Sequence, residues 1–179
     1  YGISEVNRLN NLVDQLLLLA RFENQIKSLK IEKIYLNALI LDILTRYSLK
    51  TNAKKISINH PFEKEYYIES DSYLVSIIIS NIISNAIKYS NENGVISIDL
   101  SQKENVVTCT ISDNGIGIPK EDLDKISNPF YRSNPTHHPE IKGSGLGLSI
   151  VKRLAELLGI QFEIQSEINK GTSVGLSFK

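Results

Sequence analysis

The amino-acid sequence predicts an α+β fold: a two-layer α/β sandwich, with three helices on one face of a mixed sheet, preceded by a long bundle helix. Three observations carry that expectation. Apolar residues recur every three or four positions in some segments and every second position in others. The alternating segments mostly come in neighbouring pairs joined by turn residues, which favours hairpins over a strand–helix–strand alternation. The segment 71–89 presents one apolar stripe, Val75, Ile79, Ile82 and Ala86, suited to packing a helix on a sheet.

Composition narrows the function classes. A chain of 179 residues fits one domain with a short appendage, and 41% hydrophobic with 22% charged residues is ordinary globular protein. Lysine plus arginine equals aspartate plus glutamate at 20 each, so no global field recruits nucleic acid or an anionic membrane. A single cysteine, Cys109, excludes an internal disulfide or a cysteine zinc cluster and fits a reducing compartment. No apolar run reaches the roughly 18 residues that span a bilayer, and no signal peptide is visible. The chain begins at Tyr1, inside a helical pattern, and contains no methionine. It is therefore expected to be a piece of a longer protein.

Taken in order, Val6, Leu9, Val13, Leu16 and Ala20 alternate by three and four, a bundle seam from Gly2 to Phe22. Leu12, Leu17, Leu19 and Phe22 widen it toward a four-helix bundle. A polar break at Asn24–Lys30 reads as a hinge, which gives a helical segment over 1–28 and a globular domain over 29–179. Residues 31–35 alternate as a strand and 36–49 as a helix. Two short strands, 55–59 and 66–69, flank the His60-Pro61 turn. Asp71 or Ser72 then caps the helix that runs to Tyr89. Residues 95–102 and 105–112 form an antiparallel pair, followed by a glycine-rich turn at 113–119 and a short helical segment at 120–126. The long stretch 128–145 has little periodicity, as lids and binding loops do. A last helix stops at Gly159, before closing strands at 160–166 and 172–178.

On the helix 71–89, Asn81, Asn85 and Lys88 share about 60° of arc between apolar neighbours. Buried amides need partners, because leaving one unpaired costs about 1–3 kcal/mol. Phosphates with a cation would supply them. On this helix alone, a solvated face, or asparagines bonded to neighbouring backbone, fits as well.

Four separated motifs sharpen the reading: Asn81…Asn85-Ala86-Ile87-Lys88-Tyr89; Asp113-x-Gly115-x-Gly117-Ile118; Asn128-Pro129-Phe130-Tyr131-Arg132; and Gly143-x-Gly145-Leu146-Gly147, with a final Gly171-Thr172. In order and spacing they resemble the N, G1, F and G2 boxes of the ATP-binding domain of bacterial sensor histidine kinases. That domain belongs to the gyrase/chaperone/kinase/mismatch-repair ATPase superfamily and has a Bergerat-type ATP fold. The resemblance covers residues 30–179. The helix from Gly2 to Phe22 is similar to the second helix of that family's dimerisation domain. No Gly-Lys-Ser/Thr follows any glycine run, so this is not a P-loop, and the βαβ context of a dinucleotide fingerprint is missing.

The resemblance implies ATP and Mg²⁺ as ligands, and it assigns roles residue by residue. Asn85 would offer a neutral oxygen to Mg²⁺, and Asn81 would orient that shell. Lys88 would reach a phosphate, and Tyr89 would lie against the adenine. Asp113 would accept a hydrogen bond from the adenine amino group, above a turn made by Gly115, Gly117 and Ile118. Gly143 and the amides of Gly145, Leu146 and Gly147, at a helix start, would hold phosphate. Phe130 would anchor the lid, Arg132 would reach the phosphates, and Thr172 would support the adenine pocket.

Asn81 bears on the reaction. Hydrolysing branches of the superfamily carry glutamate there as general base, and an amide cannot take a proton. The expected activity is transfer of the ATP γ-phosphate to a histidine, for relay to an aspartate of a response regulator. The family's acceptor histidine is followed by an acidic residue and, a few residues on, by a proline. His60, His137 and His138 do not match. The expected setting is a homodimer joined through the helical bundle, on the cytoplasmic side, with any membrane contact made by parent segments. The alternatives are a nucleotide-binding regulatory module without kinase activity, and an ATPase motor or clamp, which Asn81 opposes.

Overall fold

A computed structural model describes residues 29–133 and 143–179. The helix expected over Gly2–Phe22, most of the hinge, His137 and His138 lie outside the described residues. The chain divides after Lys30 into two units, and the architecture below is that of the second, Ile31–Lys179.

Strand β1 (Ile31–Tyr35) runs directly into helix α1 (Leu36–Ala53), which continues a turn past its expected end. Strands β2 (Ser57–Asn59) and β3 (Tyr67–Asp71) follow, then α2 (Ser72–Tyr89). The pair β4 (Val95–Lys103) and β5 (Val106–Asp113) precedes a single 3-10 turn at Lys120–Asp122, shorter than the helical segment expected there. Helix α3 (Gly147–Leu158) leads to β6 (Gln161–Glu167) and β7 (Gly171–Phe178).

The main sheet has the order β2-β4-β5-β7-β6, and it is mixed because β2 lies parallel to β4 while every other pair is antiparallel. β2 and β3 do not pair across the His60-Pro61 turn. β3 joins β1 in a separate two-stranded antiparallel sheet, with Ile34 opposite Ile68. Asn37 supplies the reason. Its buried amide donates to Lys64 O at 2.9 Å and accepts from Tyr66 N–H at 2.8 Å, which holds the approach to β3 on the start of α1. Leu36 N–H adds a bond to Tyr66 O at 2.9 Å.

The core lies between one sheet face and the helices, with α2 in the middle, against both α1 and α3. Val75, Ile79, Ile82 and Ala86 are all buried, as the apolar stripe predicts. Ile96, Ile98 and Ile111 of the sheet are buried as well, as are Ile40, Ile43 and Ile150 of the flanking helices. Each such aliphatic side chain contributes about 1.5–3 kcal/mol by leaving water. Asp71 caps α2 by accepting from Leu74 N–H at 3.1 Å. Gly159 ends α3 in the left-handed region at φ 67°.

Candidate nucleotide site

Asn81, Asn85 and Lys88 lie half-buried along one side of α2, the middle helix. Asn81 takes one of the alternatives left open above: its Nδ2 donates to Ile77 O, one turn back, at 2.9 Å. That bond turns Oδ1 outward, to where α3 begins. A Cβ on Gly147 would come 3.2 Å from Asn81 Oδ1 and 3.7 and 3.8 Å from the Asn85 amide nitrogen and oxygen. The first and last boxes therefore meet, with no side chain between them. The Asn85 side chain makes no hydrogen bond to any described residue. The first turn of α3 carries no side-chain cap, which leaves its N–H groups, with the helix dipole, facing the same place. One expected donor is already used: Leu146 N–H bonds Ser144 Oγ at 3.2 Å, and the Leu146 side chain is fully buried in the core.

Lys88 Nζ donates to the Tyr89 hydroxyl at 3.2 Å and stands 4.7 Å from that ring's centre. A Cβ on Gly143 would fall onto this ammonium, so Lys88 lies against the glycine loop. Sequence reasoning missed what holds this end of α2. Lys54 Nζ donates to three carbonyls, Ile87 O at 3.0 Å and Lys88 O and Ser90 O at 2.9 Å, placing a cation at the negative end of the helix dipole. A lone lysine after a helix carries no pattern that announces this.

The opposite end is made of strand termini. Asp113 closes β5 opposite Thr172 of β7, and its Oδ1 accepts from Gly115 N–H at 2.8 Å. Burial pushes the Asp113 carboxyl above its ordinary value, against the N–H groups of Gly115 and Thr172, which hold it down. Gly115 lies on the Tyr89 carbonyl, where a Cβ would collide. The next residue is pinned on both sides, Ile116 N–H to Tyr89 O at 3.2 Å and Asn169 N–H to Ile116 O at 2.9 Å. Beyond Gly117, Ile118 N–H donates to Ser166 Oγ at 2.8 Å.

The described start of the long stretch corrects one expectation. The Phe130 ring does not anchor it; the side chain is 61% exposed, and its backbone sits at φ 65°. The anchors are its neighbours. The Tyr131 hydroxyl donates to Asp122 Oδ1 at 2.6 Å, and the Ser133 hydroxyl donates to Asp122 Oδ2. Those two bonds hold the Asp122 carboxyl below its ordinary value. Phe130 N–H also bonds Gly145 O at 3.0 Å, and a Cβ on Gly145 would press to 2.6 Å from the Phe130 backbone. Arg132 follows, half-buried. No group of three His, Cys, Asp or Glu among the described residues could hold a metal ion, so a cation here would rest on Asn85 and on ligand oxygens.

A mixed sheet covered by helices, with two amides facing an uncapped helix start and a carboxylate at a strand end, defines a class of nucleotide-binding domain. The chain belongs to the histidine kinase-, DNA gyrase B- and HSP90-like ATPase family, which matches residues 70–179. It is 32% identical over 173 residues to the sensor histidine kinase WalK of Bacillus subtilis, covering 96% of this chain and 28% of WalK. The chain thus spans little more than a quarter of that relative. Among solved structures, the nucleotide-free catalytic domain of histidine kinase ThkA superposes with a TM-score of 0.73 at 25% identity, over 83% of this chain and 97% of that one. ThkA in complex with the response regulator protein TrrA superposes with a TM-score of 0.76 at 23% identity, over 98% and 48%, a likeness of fold.

Proposed function

We propose that the unit 29–179 is the ATP-binding catalytic domain of a sensor histidine kinase, and that 1–28 belongs to its dimerisation bundle. The observation that carries this reading is the contact of Gly147 with Asn81 and Asn85. It presents uncapped helix N–H groups and a neutral amide together, and it offers no carboxylate where a hydrolase needs one. A triphosphate with Mg²⁺ fits this donor set. Asn85 has an amide oxygen with no described partner, and the missing Cβ of Gly147 keeps the space beside it open. When bound, Mg²⁺ neutralises phosphate charge. The chain's own residues do the rest. Lys88 brings a point charge to a phosphate oxygen, Asp113 accepts from the adenine amino group, and Tyr89 covers the base. Asn81 holds the Asn85 side of the site without activating water, so the γ-phosphate waits for an outside nucleophile. That nucleophile is a histidine beyond this sequence, and the phosphate passes on to a response-regulator aspartate. The solved complex of ThkA with the response regulator protein TrrA supports that partner class. No described helix is long and apolar enough to cross a membrane. We place the domain on the cytoplasmic side of a dimeric parent.

The test is a calorimetric titration of the chain with a non-hydrolysable ATP analogue, with and without Mg²⁺, beside Asp113→Asn. Magnesium-sensitive binding in the micromolar range is expected. The variant should lose about 10- to 100-fold in affinity, the value of a hydrogen bond to a charged group. Absence of binding by the folded, unaltered chain would overturn the reading.

A further inference from the structure

We infer that Ser166 sharpens the base specificity that Asp113 sets in this pocket: its hydroxyl fixes Thr172 as a hydrogen-bond acceptor beside Asp113, so the pocket takes purines that present an amino group and turns away those that present an oxygen at the same edge. The inference rests on the nucleotide-binding reading above and deepens it.

The protons around Ser166 can be counted. A serine hydroxyl has one proton to give and two lone pairs. Ser166 Oγ has three polar neighbours: Ile118 N–H at 2.8 Å, Gly171 O at 2.9 Å and Thr172 Oγ1 at 2.8 Å. An N–H can only donate and a carbonyl can only accept, so the first takes a lone pair of Ser166 and the second takes its proton. One lone pair is left for Thr172, whose own hydroxyl proton must therefore point back at Ser166. The alternative, Ser166 giving its proton to Thr172, would set two oxygens without a proton 2.9 Å apart at Gly171. With its proton spent, Thr172 Oγ1 has only lone pairs left to offer.

Those lone pairs stand beside a second acceptor. Asp113 and Thr172 are direct partners across β5 and β7, and Ser166 is the partner of Thr172 across β6 and β7. Asp113, Thr172 and Ser166 therefore stand in a row on one face of the sheet. The carboxylate already accepts from Gly115 N–H at 2.8 Å and, ionised, presents only lone pairs. Two neighbouring acceptors favour a group with two protons, an exocyclic amine or a water bound to one. They repel a carbonyl oxygen. Asp113 makes the requirement, and Ser166 removes the escape, because a Thr172 hydroxyl free to rotate could donate to that oxygen.

The experiment compares ADP with inosine diphosphate, which differs in carrying oxygen for the amino group and a proton on the adjacent ring nitrogen. Affinities of the 1–179 chain, Ser166→Ala, Ser166→Thr, Thr172→Val and the Ser166→Ala/Thr172→Val double variant are measured by calorimetry, with thermal unfolding alongside. The wild type should prefer ADP. Ser166→Ala should narrow that preference about three- to tenfold, the value of one hydrogen bond. Ser166→Thr should restore it, and the double variant should narrow it no further than Thr172→Val alone. A loss of stability would weaken both nucleotides together and leave their ratio alone. A wild-type preference that Ser166→Ala leaves unchanged overturns this inference but not the functional reading. Binding of neither nucleotide by the folded wild type overturns both. If Ser166→Ala does not fold, Ser166→Thr and Thr172→Val decide: an unchanged ratio in Thr172→Val overturns the inference.

Discussion

At the end of the site that we assign to the base, Asp113, Ser166 and Thr172 each hydrogen-bond to backbone or to one another, and all three sit in register on adjacent strands. At the end we assign to the phosphates, the Asn85 side chain bonds no described residue, Lys88 bonds the Tyr89 hydroxyl, and Phe130 lies exposed on a loop. The two ends do different work. A flat, neutral base is read by fixed lone pairs, and a strand ladder places them with little freedom. On the function we propose, a triphosphate carries charge that the site must meet when it arrives and release after transfer, which suits long side chains and a loop held at a few points. The base end is built to be rigid in the absence of ligand, and the phosphate end is completed by it.

The sharpest way to break this contrast is Gly171→Ala. Gly171 sits at φ 105°, where an L side chain is strained, and a Cβ would fall onto the Asp113 carbonyl oxygen, backbone that cannot swing away. We expect a loss of about 2–4 kcal/mol in urea unfolding, from strain plus the clash. Adenine-nucleotide binding should fall with it even at temperatures where the variant stays folded. A loss below about 1 kcal/mol with full affinity would show that the base end gives way easily, and the contrast would go.

What the sequence made legible follows the same division. Periodicity placed α2 with its apolar stripe and its asparagine line, because both repeat within one element. The boxes placed Asp113, Gly115 and Thr172 in one pocket by resemblance. Strand partnership was harder. The 31–35 and 66–69 segments alternate cleanly, yet nothing local says that they pair with each other and leave β2 to run parallel to β4. That choice is made by Asn37, a single buried amide 27 residues before its contact at Lys64. Ser166, Asp122 and Lys54 were invisible for the same reason: each acts alone, through partners set by the fold rather than by spacing. Phe130 shows the reverse error, an apolar residue given an anchoring role that its polar neighbours hold.

Asp122→Ala sharpens the comparison from the other side. Removing both acceptors frees Tyr131 and Ser133, so affinity for the triphosphate analogue should fall about three- to tenfold, while affinity for adenosine stays within about twofold. Equal losses for both ligands would mean that the clamp supports the base end as well. Acidification separates the ends again, because the two carboxyls are displaced in opposite directions. Asp122 is held down by the Ser133 and Tyr131 hydroxyls. Its contribution to stability is therefore complete above the ordinary carboxylate range near about pH 4, and is lost only as pH falls through the lower folded value. Asp113 is held up by burial, so the folded chain takes up that proton earlier. Its charge costs stability, and that cost is relieved as pH falls, but the acceptor is lost with it. Adenosine affinity should therefore start to fall at a pH where the stability difference between wild type and Asp122→Ala is still flat. If that difference shrinks first, the assignment of the two carboxyls is reversed.

The smallest expected effect is none at all, and it tests where the rigidity resides. Cys109 lies in the middle of β5, opposite Leu100 of β4 and Leu176 of β7, and is fully buried. Burial, with a smaller contribution from Asp99, pushes its thiol up to about 12. At about pH 8 the native chain should react with an aromatic disulfide reagent only through opening of the sheet, because the thiolate is the nucleophile and neither it nor the reagent has access otherwise. Asp122→Ala should leave the labelling rate unchanged, since the clamp holds a loop and not the ladder. Gly171→Ala should raise it, since β7 is one of the two strands that flank Cys109. If the loop variant instead labels as fast as the ladder variant, the phosphate end and the sheet open as one unit, and the rigidity assigned to the base end belongs to the whole domain.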